Sequence, residues 1–382
     1  MPVAEPMPTT YHSFCRWTFH AGKGGFHPGA IRPAWSSDKL KSEDIPGLVA
    51  KHIRPRLPKH IELGYELHYD TEVNEANAPA IADALGEHGM HLAMITPGAH
   101  SHFAYGGVGS LDPIERSAAE DLGKRTVDLA YGVLRKSWRS EAELAPTLVL
   151  WNGSYGYDMA TVGVKQMMAN LRESVAKLCK YEAEQGGHLY FGIEPKPNEG
   201  HPAMLLPTVA STLIFWVRTA REHGISLDKK GVNMEIGHSE MIGLDHVYDV
   251  IEQLDNGAMT HFHLNSQGYN DGILLGGPGK YDIDFGCRIT GMNVTLARLM
   301  RVEGYNRWLG HDMQPRPYDN EEAACERVVR SILSWEACCE ASRTMDAAAL
   351  MKALSERNTM AAEDIMMTAT AEAIHAFKRM MG

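Results

Sequence analysis

Short apolar runs of strand length alternate with longer amphipathic stretches along almost the whole chain. The runs predict strands near Tyr11–Phe19, Ile61–His68, His91–Thr96, Thr147–Trp151, Leu189–Glu194, Gly231–Glu235, Thr260–Leu264 and Arg307–Asp312. Between them, apolar positions at helical spacing predict helices near Asn77–His88, Pro113–Val133, Val162–Glu184, Val209–His223, Leu244–Leu254 and Gly291–Glu303, with a long one after Asn320. Strand alternating with helix is the pattern of repeated βα units around a parallel sheet. Eight such strands close most naturally into a (β/α)8 TIM barrel, here predicted over residues 1–343. Residues 344–382 form a C-terminal helical extension rich in Ala and Met. The barrel is complete before this tail begins, so its apolar stripe needs another surface; a neighbouring subunit is the more economical cover, and its own barrel the alternative.

Composition narrows the partners. With 37 basic against 48 acidic residues the net charge is -11, which repels nucleic acid and anionic membranes and favours a neutral or cationic partner. The six cysteines are scattered without a CxxC pair and read as reduced thiols. Residues 1–10 lack an apolar signal core, and the longest apolar run, around Leu205 to Val217, is broken by Pro207 and Thr208. A soluble, cytoplasmic protein is expected.

Candidate chemistry is densest in Ile193-Glu194-Pro195-Lys196-Pro197-Asn198-Glu199-Gly200. Pro195 and Pro197 fix φ and carry no N–H, so the strand must stop at Glu194. In such a barrel, strand ends at the carboxyl face carry function. Four consecutive strands end in a potential metal ligand: Glu194, Glu235, His263 and Asp312. His238, three residues past Glu235, and Asp282 with Asp284 supply donors for a second position. Oxygen ligands suit Mg2+ or Mn2+, and the two imidazoles make Mn2+ or Co2+ competitive; Zn2+ would favour thiolates or more imidazoles. His100 and His102 read as pocket lining or surface rather than as a third metal position.

These residues carry a resemblance. Glu194-Pro-Lys196-Pro-Asn-Glu199, then Asn233-Met-Glu235-Ile-Gly-His238, His261-Phe-His263-Leu-Asn-Ser-Gln267, Asp282-Ile-Asp284-Phe-Gly and His311-Asp312 succeed one another in the order found in the xylose isomerase family of metal-dependent aldose–ketose isomerases. Trp17, His68 with Tyr69 and Asp70, the segment from His102 to Gly107, and Trp151 also fall in that order. The resemblance implies two divalent metal ions (Mg2+, Mn2+ or Co2+), one held by Glu194, Glu235, His263 and Asp312, the other by Glu235, His238, Asp282 and Asp284. It further implies His68, with Asp70 in its segment, for ring opening, Lys196 at the substrate's O1, and Trp17 and Trp151 as pocket walls. Phe26 resembles an aromatic that reaches into a neighbouring subunit's site, and a homotetramer or dimer is implied. Two positions depart from the family: His263 stands where xylose isomerases place an aspartate, and the run of acids after the catalytic histidine is reduced to Tyr69-Asp70-Thr71.

The expected function is interconversion of a neutral aldose and its ketose by a metal-assisted 1,2-hydride shift. The alternatives are a ketose 3-epimerase, a metal-dependent phosphodiesterase on a similar barrel, and a non-catalytic sugar-binding or assembly protein. A phosphodiesterase would want a basic groove, which a net charge of -11 does not favour. Retention of Lys196 and His68 argues against a non-catalytic role.

Overall fold

The computed structural model describes residues 8–19, 40–142, 144–151, 162–197, 204–266, 282–287, 289–315 and 319–382. Eight parallel strands close on themselves: β1 (Thr10–Cys15), β2 (Ile61–His68), β3 (Met90–Thr96), β4 (Thr147–Leu150), β5 (Tyr190–Ile193), β6 (Lys230–Glu235), β7 (Met259–His263) and β8 (Leu309–His311). Each pairs with its sequence neighbour except across β8 and β1, where the closing register sets His12 beside Leu309 and Phe14 beside His311. This is the expected (β/α)8 TIM barrel with a helical extension.

Successive side chains on a strand point to opposite faces. On β2, Leu63, Tyr65 and Leu67 join the apolar layer under the helices, which leaves Gly64, Glu66 and His68 for the interior. The amino-terminal end of that interior is plugged by Trp308, fully buried and edge-on to Tyr11 at 5.5 Å. Beside it the Arg307 guanidinium lies 3.3 Å from the Tyr190 ring centre and donates to the carbonyls of Thr260 and Ala145. Gly64 makes room for the plug, because a Cβ there would stand 2.8 Å from both Ala93 and the Trp308 ring.

The outer layer includes α1 (Ile45–His52), α2 (Ala78–Glu87), α3 (Pro113–Tyr131), α4 (Val164–Gln185), α5 (Val209–His223), the single turn and a half α6 (Ile236–Glu240), α7 (His246–Asp255), α8 (Gly291–Val302) and α9 (Glu321–Thr344). Starts follow capping chemistry: Asp112, Thr208, Asp245, Thr290 and Asn320 each accept a backbone N–H of the first turn. Among the described residues no helix is long and apolar enough to cross a membrane.

The tail forms α10 (Ala347–Ser355) and α11 (Thr359–Met381). Its stripe is covered by its own barrel. Ala369 and Ala373 are buried with Ala297 of α8 and with Trp335 and Ala341 of α9, and α11 is pinned by an Arg379 to Glu340 ion pair and a Thr344 to Glu372 hydrogen bond. Alanines let the α11 backbone approach α8 and α9 closely. The opposite face keeps Met351, Met360 and Met367 about two-thirds exposed.

Between the barrel wall and α9 runs a buried polar chain. Ser331 meets His311 at 3.0 Å, His311 meets His12 at 3.0 Å, and Glu336 accepts from His12 at 3.1 Å and from His60 at 2.9 Å. Burial opposes charge on Glu336, but the hydrogen bonds from His12 and His60 overcome it and hold its pKa down from 4.5 to about 2. A depressed carboxylate stabilises the fold above its unfolded pKa and loses that contribution as pH falls toward the folded value. Glu336→Gln is therefore expected to cost about 3 kcal/mol at neutral pH. It should also flatten the fall in unfolding free energy between about pH 5 and 2, measured by denaturant titration across pH.

Candidate metal centre

The carboxyl ends of β5 to β8 bring Glu194, Glu235, His263 and Asp312 together, with one donor atom from each within 4.8 Å of the others. His263 is the centre of this group. Its Nε2 lies 3.1 Å from Glu66, a carboxylate that can only accept, so Nε2 carries a hydrogen. Its Nδ1 then faces oxygens of Glu235 at 3.4 Å, Asp312 at 3.6 Å and Glu194 at 3.7 Å. Without a shared cation these groups repel. Burial and Glu235 push the Glu194 carboxyl up to about 8 and raise Asp312 as well. On His263 burial opposes charge, yet Glu66 and the other carboxylates outweigh it and raise its pKa. A divalent ion among these groups would relieve the repulsion and take four ligands at once.

A second position shares Glu235. Glu235, His238 and Asp282 converge with the same spacing. Glu235 ends β6 and His238 lies on α6, and three residues of helix put both on one side. The Nδ1 of His238 donates to the carbonyl of Pro195 at 3.0 Å, so Nε2 presents a lone pair; it is buried, has no hydrogen-bond partner, and stands 3.2 Å from Glu235 Oε1. Burial drives the His238 pKa down to about 3, which keeps the imidazole neutral. Two lone pairs in a dry pocket face each other where a metal ion would satisfy both. Asp284 does not join them. Ile283–Asp284 pairs with Asn265–Ser266 in a two-residue antiparallel ladder, and the Asp284 carboxylate lies 3.7 Å from Arg327 of α9.

One wall of the site is a line of rings. Trp17 packs on His68 at 4.5 Å, His68 meets His100 at 5.1 Å, and His100 meets Trp151 at 4.5 Å. The Lys196 ammonium lies 5.3 Å from the Trp151 ring centre. Trp17 also donates to Asp312 at 2.5 Å, tying the wall to the metal ligands. His100 is thus pocket lining; burial, with His68 and Lys196 nearby, keeps it neutral at about 3. The carboxylate serving His68 is Glu72, which accepts from its backbone N–H at 2.7 Å and its Nδ1 at 3.2 Å. Asp70, at a left-handed φ of 69°, is turned outward, 3.9 Å from His102. Phe26 and Glu199 lie outside the described residues.

Three residues without a role from the sequence complete the centre. Asn233 donates to Glu194 at 2.7 Å. Asn265 donates to Glu235 and to the Asp312 carbonyl while accepting from the Gly237 N–H, so one amide spans β6, α6 and β8. Glu66 sits beneath His263. Strand alternation marks Asn233 and Glu66, since each lies two residues before a named site residue and shares its face.

No known family model matches the chain. Solved structures do: a D-allulose 3-epimerase from Methylomonas sp., with TM-score 0.55 and 13% identity over 87% of this chain and 99% of that one. A xylose isomerase domain protein from Alicyclobacillus acidocaldarius gives 0.53 and 13% over 88% and 100%. A family 2 AP endonuclease from Brucella melitensis gives 0.51 and 15% over 83% and 96%. The fold is that of the xylose isomerase-like TIM barrels. At these identities the likeness concerns the backbone alone, and activity rests on the side chains of this barrel.

Proposed function

We propose that this protein is a two-metal sugar isomerase that interconverts a neutral aldose and its ketose. The observation carrying this reading is the pair of donor groups joined through Glu235, each with an imidazole lone pair facing carboxylate oxygens across a gap that only a cation satisfies. Glu194, Glu235, His263 and Asp312 would hold one ion and Glu235, His238 and Asp282 the other, as Mg2+, Mn2+ or Co2+. Bound there, two such ions supply Lewis acidity to neighbouring oxygens of an open-chain sugar.

The chain's own residues then account for the rest. Lys196, buried and beside Trp151, donates to the sugar's O1 as negative charge gathers on it. His68, steered by Glu72 at Nδ1, exchanges a proton with the ring oxygen through Nε2 during opening. Hydrogen moves from C2 to C1 as a hydride while the proton of the O2 hydroxyl is passed to O1, so the site needs no base for C2. The aromatic wall excludes water and receives the apolar face of the sugar. The exposed methionines of α10 and α11 support assembly with further copies, as a dimer or tetramer, in the cytoplasm.

The solved 3-epimerase neighbour favours one other reading, ketose 3-epimerisation, which calls for two bases across one carbon. In this site Asp312 already accepts from Trp17, which suits a ligand better than a base. Aldoses labelled with deuterium at C2 separate the two. With Mg2+, Mn2+ or Co2+ present, the expected result is a ketose that keeps the label at C1 after long incubation in ordinary water. Wash-out of the label, or turnover confined to ketoses with exchange at C3, overturns the isomerase assignment.

A further inference from the structure

Glu66 is fully buried at the centre of the barrel, below the metal centre, and its two oxygens are saturated. Oε1 accepts from Ser13 at 2.5 Å and from His261 Nε2 at 3.0 Å; Oε2 accepts from His263 Nε2 at 3.1 Å and from Cys15 at 3.3 Å. Cys15, Glu66 and His263 also lie close enough together to be taken for a third cation position. The hydrogen bonds argue otherwise, since an oxygen accepting from two donors has no lone pair left for an ion or for proton abstraction. Gly310 is part of the arrangement: a Cβ there would lie 2.3 Å from Glu66 Oε1 and 2.6 Å from the His263 ring.

We propose that Glu66 is the positioning residue of this centre, acting through His263. It binds the Nε2–H and so commits the ring to presenting its Nδ1 lone pair to the position shared with Glu194, Glu235 and Asp312. The pairing also gives a physical reason for histidine at a position where the resembling family has aspartate. A carboxylate at 263 would meet the Glu66 carboxylate in a water-free interior and be repelled. Glutamate with neutral histidine carries the same net charge as a lone aspartate, so the charge facing the cations is kept while its source moves one layer down.

This inference rests on the two-metal reading, and metal binding to the apoprotein tests both separately. Calorimetric titration with Mn2+ should show two sites in the wild type; absence of binding would overturn the metal centre itself. Glu66→Gln keeps the shape but sets an amide N–H₂ against one of its donors, and should weaken one of the two sites 10- to 100-fold. Unchanged affinity in a folded Glu66→Gln protein overturns the positioning role. The decisive comparison is made in a His263→Asp background, where there is no Nε2–H for Glu66 to hold: adding Glu66→Gln should change Mn2+ affinity by much less than tenfold. A role in general packing would weaken binding alike in both backgrounds, so a tenfold or greater weakening in His263→Asp overturns the proposal. That comparison stands even if Glu66→Gln alone does not fold.

Discussion

Glu235→Gln is expected to empty both metal positions at once. Glu235 places one oxygen 3.2 Å from His238 Nε2 and the other 3.4 Å from His263 Nδ1, and among the described residues it is the one side chain common to both groups. Replacing one oxygen by an amide N–H₂ puts a donor where an ion needs an acceptor. Bound Mn2+, measured by elemental analysis after dialysis, should fall from two per chain toward none. Loss of Lewis-acid stabilisation worth several kcal/mol corresponds to a fall of about a thousandfold or more in kcat. Thermal stability measured with saturating Mn2+ should drop toward that of the apoprotein, since a ligand of the folded state alone stabilises it by mass action. Asp284→Asn is the matched comparison. Because Asp284 is turned toward Arg327, it should retain both ions and turn over within about tenfold of wild type. Two full equivalents of metal in Glu235→Gln would refute the shared-ligand arrangement.

Gly310→Ala should disturb the barrel interior and the candidate metal centre together. Its Cβ would stand 2.3 Å from Glu66, 2.6 Å from the His263 ring and 3.0 Å from His261 Nε2. These three neighbours are locked to one another by hydrogen bonds, so none can yield without disturbing the rest. Overpacking in such a place costs about 3 kcal/mol. Displacing His263 should also weaken Mn2+ binding by an order of magnitude. Gly64→Ala separates the two effects, because its Cβ would strike Ala93 and Trp308 in the plug below. It should destabilise the fold comparably, by denaturant unfolding, while leaving Mn2+ affinity close to wild type.

The strands were legible because each is a short apolar run between helical stretches, and parallel strands buried on both faces read in that way. Their functional ends were legible for a related reason: Pro195 and Pro197 stop β5 at Glu194, and a carboxylate or imidazole closing a buried strand breaks the apolar pattern visibly. Glu66 was not, although it breaks the pattern as plainly. Its partners lie 51, 53, 195 and 197 residues away, and a carboxylate in mid-strand has no local sign of which ring it meets. Glu72 was hidden by a turn. The chain folds back after His68, with the Val73 N–H bonded to the His68 carbonyl and Asp70 at positive φ. That turn swings the nearer acid outward and returns the farther one. Extended alternation predicts Asp282 and Asp284 on one side, but says nothing of Arg327, which only the packing of α9 brings beside Asp284. For α11, sequence marked an apolar stripe without saying what lay across from it.

The closing seam of the barrel also sets the order in which the candidate metal centre can be assembled during synthesis. His12 meets His311 across 299 positions, Trp17 meets Asp312 across 295, and His12 meets Glu336 across 324. Contacts between such distant segments are slow to form because a long loop must close before any of them contributes. As the ribosome delivers the chain from its amino end, β1 waits with one edge unpaired until β8 emerges. The centre acquires Asp312 only then, and α9 can clasp His12 only after most of the polypeptide has left the tunnel. The candidate metal centre is therefore complete only once β8 has paired, and until then the half-finished barrel presents an open strand edge.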